Sequence, residues 1–513
     1  MTLFFKGRFA LFAKIVILSI VSAVLLMLCQ SAFAQREYAI AGFLLLAVLA
    51  MNYVYLTNKR TVPFKFFLPG TLFLVAFVIA PIIFTVVMSS YNYKTGNIIS
   101  KEEAIERVSA LGVEPDENGT TFDIVIGKAA SGEWEILVSD ITNNRYFLST
   151  KSTIADVPIS DLKRNEFQVA TEAPGFKRLS AEVLSQDEGY SKIQYKYLGE
   201  YFIVADQPEV GAVFRQTLKY HPENDTFINL QNGQVYRDNG RGNYANPSDK
   251  AQYLEPGWRA PNWFSNYAKL VTDDKVRGPF IRVFIWTVIF AVLTVLTSFA
   301  FGLLLALALN KAIRGRRMYR SILILPYAMP SLMSILIWAG MFDTEFGAIN
   351  NILGTHIAWF SDANFARAAV ILVSLWLGFP YFYLISTGAL QAIPSELNEA
   401  AAIDGANGRQ IFNKITLPLL FQILAPLLIA SFAFNFNNFN LIYLLTGGGP
   451  KEQLEGQIAG ATDILISYTY QIAFGSNTQD LGLASAISVI IFFLVASISL
   501  YGLRKSKVLE TFG

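Results

Sequence analysis

Apolar residues in this chain fall into long unbroken runs separated by short polar stretches, and run length rather than periodicity decides what each forms. Ile15 to Leu28, Ile40 to Leu56 and Leu68 to Met88 come first. The pattern then stops for about 185 residues, Tyr91 to Lys275, and resumes as Phe280 to Leu309, Ile322 to Met341, Ala368 to Ala389, Leu419 to Leu445 and Leu481 to Leu500. About 20 apolar residues in a helix cross a bilayer. The runs therefore predict an all-α polytopic membrane protein of about eight spans, with a domain inserted after the third. Three parts are expected: residues 1–90, 91–275 and 276–513.

The insertion reads as mostly β. Phe122 to Ile126, Trp134 to Val138, Lys192 to Tyr197 and Tyr201 to Val204 are rich in β-branched and aromatic residues. Phe227 to Leu230 and Gln234 to Tyr236 flank Asn232-Gly233, the dipeptide favoured in two-residue hairpin turns. His221 has no metal-ligand neighbours at useful spacing, so a surface or turn position is expected. A segment of this size is more than a spacer, and protein recognition is its expected role.

Charge decides orientation. Lys6/Arg8/Lys14, Lys59/Arg60/Lys65, Lys311/Arg314/Arg316/Arg317/Arg320 and Arg504/Lys505/Lys507 fall on one side of the membrane under this count. The positive-inside rule makes that side cytoplasmic. Both termini are then inside and the insertion outside. Ser31-Ala32-Phe33-Ala34 after a basic start imitates a signal peptide, yet the second apolar run follows at once, so an uncleaved helical hairpin turning at Gln35-Arg36-Glu37 is expected.

Composition supports the membrane reading: 53% of residues are hydrophobic and 16% charged, against about a quarter charged in soluble domains. The single cysteine, Cys29, leaves no disulfide within the chain. No G-x-x-x-x-G-K-[ST] loop is present to cradle nucleotide phosphates, so no cofactor is expected here and the energy source is a second protein or an ion gradient. The spans as drawn hold essentially no carboxylate or histidine of the kind that marks ion pathways. That counts against a gradient-driven carrier and predicts an uncharged cargo.

Two stretches carry candidate chemistry. Ser431, Asn435 and Asn438 lie at i, i+4 and i+7, one face of a helix, with Phe434 at its edge. Amides offer donors and acceptors to sugar hydroxyls while an aromatic ring stacks on the apolar face of a pyranose; interhelical hydrogen bonding is the competing role. Trp376-Leu377-Gly378-Phe379-Pro380-Tyr381, in the preceding span, is a kinked aromatic segment suited to closing such a site. Pro394 to Pro418 is the other stretch, soluble and helix-forming between two spans. Pro394-Ser395 opens a first helix, Asp404-Gly405 breaks it, and a second, roughly Asn407 to Ile415, is expected to end at Leu417-Pro418. Its three acidic residues, Glu396, Glu399 and Asp404, against Arg409 and Lys414 lack the basic face that anionic lipid selects. The turn Leu445-Thr446-Gly447-Gly448-Gly449-Pro450 is expected to be flexible.

Glu399-Ala400-Ala401, Gly405 and Ile415-x-Leu417-Pro418 resemble the EAA loop of bacterial ABC importer membrane subunits. Residues from about Phe280 to Leu500, with Thr446-Gly-Gly-Gly-Pro450, resemble the sugar-permease group generally. Three additional N-terminal spans and a large domain after the third resemble, within it, the larger permease subunits of maltose/maltodextrin importers over nearly the whole chain. The resemblance implies an ABC permease fold and transport across the inner membrane. Implied partners are a second permease subunit, an ATPase dimer binding ATP and Mg, and a periplasmic maltose-binding protein held partly by the insertion. It places maltose contacts at Leu377, Gly378, Tyr381, Ser431, Phe434, Asn435 and Asn438, and ATPase coupling at Glu399, Ala400, Ala401, Gly405, Ile415, Leu417 and Pro418. The alternative from another class is a membrane-anchored receptor or assembly protein acting through its outer domain.

Overall fold

The computed structural model describes residues 8–35, 37–56, 62–249, 251–310, 314–451, 458–475 and 479–505. Lys6, Arg36, Lys59, Arg60, Lys311 and Lys507, invoked above for orientation or turning, lie outside them. Two compact units are present, Met1–Val87 and Met88–Gly513.

In the first unit, α1 (Arg8–Ala34) and α2 (Tyr38–Leu56) form an antiparallel hairpin. Its helices are tied by Asn52 Nδ2 donating to Ser22 Oγ at 2.9 Å, and Cys29 Sγ donates to the Ala41 carbonyl at 3.3 Å. The third helix, α3 (Val62–Met88), carries a π turn at Val75–Ile79 just before Ala80-Pro81. A proline ring collides with the carbonyl four residues back. Widening the turn, with Ala80 N–H bonding to Val75 O, relieves that collision and lets the helix continue.

The insertion belongs to the second unit and is closed at its root by a short strand pair, Tyr91 opposite Pro261 and Asn92 opposite Ala260. Helix α4 (Lys101–Leu111), capped by Ser100 accepting from Glu103 N–H, packs beside it. The main sheet contains β1 (Thr121–Lys128), β2 (Trp134–Asp140), β3 (Arg145–Ser149), β4 (Ile154–Asp156), β5 (Tyr195–Lys196), β6 (Tyr201–Gln207) and β7 (Val210–Gln216), in the order β5-β6-β7-β1-β2-β3-β4. All of these pairings are antiparallel. A fully buried row including Ile126, Ile136, Phe147 and Ile203 fills one face. A second sheet joins β8 (Leu218–His221), β9 (Thr226–Asn229), β10 (Val235–Asp238) and β11 (Tyr244–Ala245).

Two strand expectations are corrected. Lys192 to Tyr197 yields only β5, because Glu188–Lys192 winds into a 3₁₀ turn capped by the Asp187 side chain. Asn232-Gly233 does not make a two-residue turn: Asn229 N–H bonds to Gln234 O, and the loop is Leu230 to Gly233 with only Gly233 at positive φ, +71°. The Asn229 side chain accepts from Gln231 and Asn232 N–H, which stabilises the longer loop.

After α5 (Ser265–Thr272) the chain returns to the membrane as α6 (Asp274–Ala308), capped by Asp273. Then come α7 (Arg316–Ala328), α8 (Ser331–Met341), α9 (Ala363–Ala392), α10 (Ser395–Ile403), α11 (Gly408–Phe436), α12 (Phe439–Leu445), α13 (Leu465–Tyr470) and α14 (Leu481–Lys505). Among the described residues seven helices are long and apolar enough to span, or eight counting α7 and α8 as one broken span. The run Ile322 to Met341 is thus not one straight helix: it bends by 92° at Met329-Pro330. Met329 is extended, ψ 140°, as a residue before proline prefers.

The core is built on the crossing of α6 with α9. A Cβ on Gly302 would sit 2.7 Å from the Tyr383 nitrogen, so glycine there sets the approach of the two backbones. Phe299 and Phe382 meet edge-to-face at 5.9 Å beside it. The start of α14 is joined to the root of the insertion: Gly482 N–H bonds to Tyr93 O at 2.9 Å and Thr95 N–H to Gln479 O at 3.0 Å. Asn266 on α5 donates to the carbonyls of Ser89 and Tyr91, so insertion and core share one hydrogen-bonded base.

Candidate functional site

The amide-rich segment is not one helix. Helix α11 ends at Phe436, Asn437 takes φ −112° and ψ 20°, and Asn438 (φ −79°, ψ 69°) becomes the N-cap of α12, its Oδ1 accepting from Leu441 N–H at 3.4 Å. The face expected to run from Ser431 through Asn435 to Asn438 is therefore interrupted at its last member. Asparagine competes with helical hydrogen bonds and favours caps. Four asparagines among Asn435, Asn437, Asn438 and Asn440 are the signal that sequence reasoning passed over. Backbone polarity at a broken span is a recurrent feature of transporter binding sites, because freed carbonyls and amides line a cavity there.

The remaining candidates divide by surroundings. Asn435 Nδ2 donates to the Ser431 carbonyl at 2.8 Å, so one of its groups is engaged locally. Phe434 is 69% exposed and projects from the packed core. Tyr381 packs in one cluster with Phe432 and Leu428, while Leu377 packs with Leu441, Ile442 and Leu445 of α12. Helix α9 thus presents Leu377 and Tyr381 on either side of the break. Gly378 lies at a close approach to α6, where a Cβ would come 2.9 Å from Ser298 Oγ. Thr294 Oγ1, Ser298 Oγ, Tyr383 Oη and Ser386 Oγ are buried with no hydrogen-bond partner among the described residues. These four hydroxyls belong to α6 and α9, and sequence reading had singled out none of them.

The second candidate segment is a two-helix element with well-defined ends. At the end of α10, Ala406 N–H bonds to Ala401 O and Gly405 N–H to Ala402 O, a Schellman arrangement that needs a left-handed residue. Gly405 supplies it at φ +85°. Asn407 and Gln410 then form a reciprocal capping box at 2.8 and 2.9 Å. The outer surface of α10 is exposed along Glu396, Glu399, Ala400 and Ala402, and Ile403 is 87% exposed. The second helix does not stop at Leu417-Pro418. A π turn over Phe412–Thr416 precedes Pro418, with Leu417 N–H bonding to Phe412 O, and the helix runs on into the span. Ile415 and Leu417 are half-buried and Pro418 exposed, and one continuous helix joins this element to the break at Asn437.

The described part of the turn after α12 is closed by hydrogen bonds. Thr462 Oγ1 donates to Gly449 O at 2.6 Å and lies 2.7 Å from Thr446 Oγ1. Asp463, fully buried, accepts from Gly460 N–H at 2.8 Å, Ser467 Oγ at 2.7 Å and Gln471 Nε2 at 2.9 Å. A Cβ on Gly448 (φ +82°) would fall 2.1 Å from Asp463 Oδ1, so only glycine fits. Burial pushes the Asp463 carboxyl up, opposed by those hydrogen bonds. Arg367 Nε donates to Ala461 O at 3.0 Å and stacks over Trp286, pinning the same loop to α6 and α9.

A family model described as "Binding-protein-dependent transport system inner membrane component" matches residues 298–506. One for the N-terminal part of the membrane subunit in binding-protein-dependent ABC transporters matches residues 72–151. Over 495 residues the chain is 37% identical to the maltose/maltodextrin transport system permease protein MalF of Salmonella typhi, with 93% of each chain covered. The chain belongs to the MalF family. The MalF protein of Escherichia coli strain K12 is 36% identical over the same length and coverage. Among solved structures, a bacterial alginate ABC transporter in complex with an alginate pentasaccharide-bound periplasmic protein is similar over 48% of this chain and 83% of its own, with TM-score 0.41 and 21% identity. As a MalF-type permease the chain is a membrane-spanning subunit of an ABC importer and not an enzyme. Residues 72–151 run from α3 past β3, so the second family match spans the entry into the insertion.

Proposed function

We propose that this permease translocates maltose and maltodextrins across the inner membrane, driven by ATP and Mg bound to a separate ATPase dimer. Likeness to MalF relatives over 93% of the chain carries this reading, since a match of that extent reaches well beyond the core into the insertion. A second permease subunit completes the pathway, and residues 91–275 form the module that meets a periplasmic maltose-binding protein. Both termini face the cytoplasm. Sugar is held where α9 adjoins the α11–α12 break, by Leu377, Gly378, Tyr381, Ser431, Phe434, Asn435 and Asn438. The exposure of Phe434 supports this placement, because a large aromatic ring left uncovered in a single chain suits a ligand or a facing subunit.

Coupling is assigned to α10 and the start of α11: Glu399, Ala400, Ala401, Gly405, Ile415, Leu417 and Pro418. Small alanines permit close approach by the ATPase, and exposed Ile403 offers an apolar anchor at the tip. The test is ATP hydrolysis by the complex purified through a tag on this chain, in lipid, with and without binding protein and maltose. Stimulation that requires both supports the proposal. An ATPase indifferent to maltose would remove the substrate; no co-purifying ATPase would remove the coupling. Glu399→Lys should weaken association with the ATPase, and undiminished co-purification with full coupled activity would refute that role.

A further inference from the structure

The first unit encloses an apolar groove of about 730 Å³ between α1, α2 and α3. Its lining runs from Lys14 to Leu25 on α1, from Tyr55 back to Phe43 on α2 and from Leu68 to Phe77 on α3. At 1.5 Å per residue these stretches measure about 17, 18 and 14 Å, which is about half of the ~30 Å hydrocarbon core. The groove has the length of one leaflet, not of a transmembrane segment. Its polar lining is confined to one end, where Lys14 and Tyr55 lie. The Tyr55 hydroxyl donates to the Lys65 carbonyl. The half-buried Lys14 ammonium has no hydrogen-bond or ion-pair partner among the described residues.

We infer that this groove is a phospholipid site, taking one acyl chain of the leaflet next to the amino terminus, with Lys14 paired to the phosphate of an anionic headgroup. A lysine stem lies along apolar surface while its ammonium reaches the headgroup level. Hydrocarbon fills an apolar slot in a bilayer without leaving polar backbone unsatisfied, and a cation at one end of the lining matches a ligand charged at one end. This assignment depends on α1–α3 spanning a bilayer and is independent of which sugar is carried.

The experiment uses the assembled complex, extracted in mild detergent, with retained lipid identified by native mass spectrometry. Wild type should keep one phospholipid per copy of this chain, enriched in anionic headgroups. Ala47→Phe with Ala76→Phe fills the groove and should abolish retention. Lys14→Ala leaves the packing intact and should reduce anionic-lipid occupancy about fivefold, the worth of one basic residue beside a charged headgroup. A photo-reactive residue in place of Ala76 should cross-link to lipid. Absence of retained lipid, equal retention in Lys14→Ala and wild type, or cross-linking to a protein helix would overturn the assignment; the Lys14 variant decides if the filled one fails to assemble.

Discussion

Replacing Asp463 tests whether the loop beyond α12 is held by a buried acid. The carboxylate accepts from the Gly460 amide, Ser467 Oγ and Gln471 Nε2 in a fully buried setting. Asp463→Ala strands the Gly460 and Gln471 donors and leaves Ser467 Oγ only the Ile464 carbonyl, and two buried donors left without a partner cost about 2–6 kcal/mol together. In a core of this size each kcal/mol moves the melting midpoint by roughly 2–4 °C, so the loss should be on the order of 10 °C. Asp463→Asn keeps the shape and one acceptor but turns an NH₂ group toward a donor, and should cost about half as much. The assay is the apparent melting temperature of the purified complex, followed by tryptophan fluorescence. Because burial raises the carboxyl above its ordinary 3.8 in the folded state, the native form binds its proton more readily than the unfolded chain. Stability relative to the Asn variant therefore falls as pH rises from 3.8 through the raised value, and is recovered on acidification. An Asp463→Ala protein melting within about 2 °C of wild type would refute the argument.

Other perturbations separate the remaining parts. Asn435→Ala should lower sugar transport while leaving assembly and basal ATP hydrolysis largely intact; loss of assembly instead would assign the residue to packing. Gly405→Ala meets no neighbour but adopts φ +85°, so it should cost about 1–2 kcal/mol of backbone strain and reduce maltose-stimulated ATPase more than basal activity. In the insertion, Asp225 accepts from Lys101, Tyr244 and Tyr220. Burial alone would raise its carboxyl, but those bonds outweigh it and hold it below 3.8. Its contribution is present above 3.8 and lost as pH falls through the lowered value; Asp225→Asn should flatten that part of the acid unfolding curve, and an unchanged curve would count against the cluster.

What the sequence made legible follows from the range of the forces involved. Run length predicts a span because every residue in lipid must be apolar, and the eight runs correspond to the seven long helices and one broken pair. The strands expected at Phe122 to Ile126 and Trp134 to Val138 from their β-branched and aromatic residues are present as Thr121–Lys128 and Trp134–Asp140. Local rules failed where two of them competed. Pro330 breaks a helix and Pro418 does not, because the π turn ahead of Pro418 absorbs its ring. The break at Asn437 was hidden by reading asparagine as a side chain with a face rather than as a cap. Asp463 was illegible because each partner that fixes it is supplied by the folded loop. The burial of the α6 and α9 hydroxyls that find no partner among the described residues arises only when two helices cross.

The paired strands at Tyr91–Asn92 and Ala260–Pro261 have an evolutionary reading. Since the chain leaves and re-enters the base at adjacent points, exchanging the segment between Asn92 and Ala260 should leave the path of the membrane helices unaltered where the Tyr93 and Thr95 contacts are kept. A short reverse turn joining Asn92 to Ala260 would preserve the connection. The outer module is therefore free to diversify with its partner at a different pace from the translocation pathway, except at Tyr93 and Thr95, where it is stitched to the segment that starts the last span. Swapping modules between related permeases should succeed when those contacts travel with the recipient rather than with the donor.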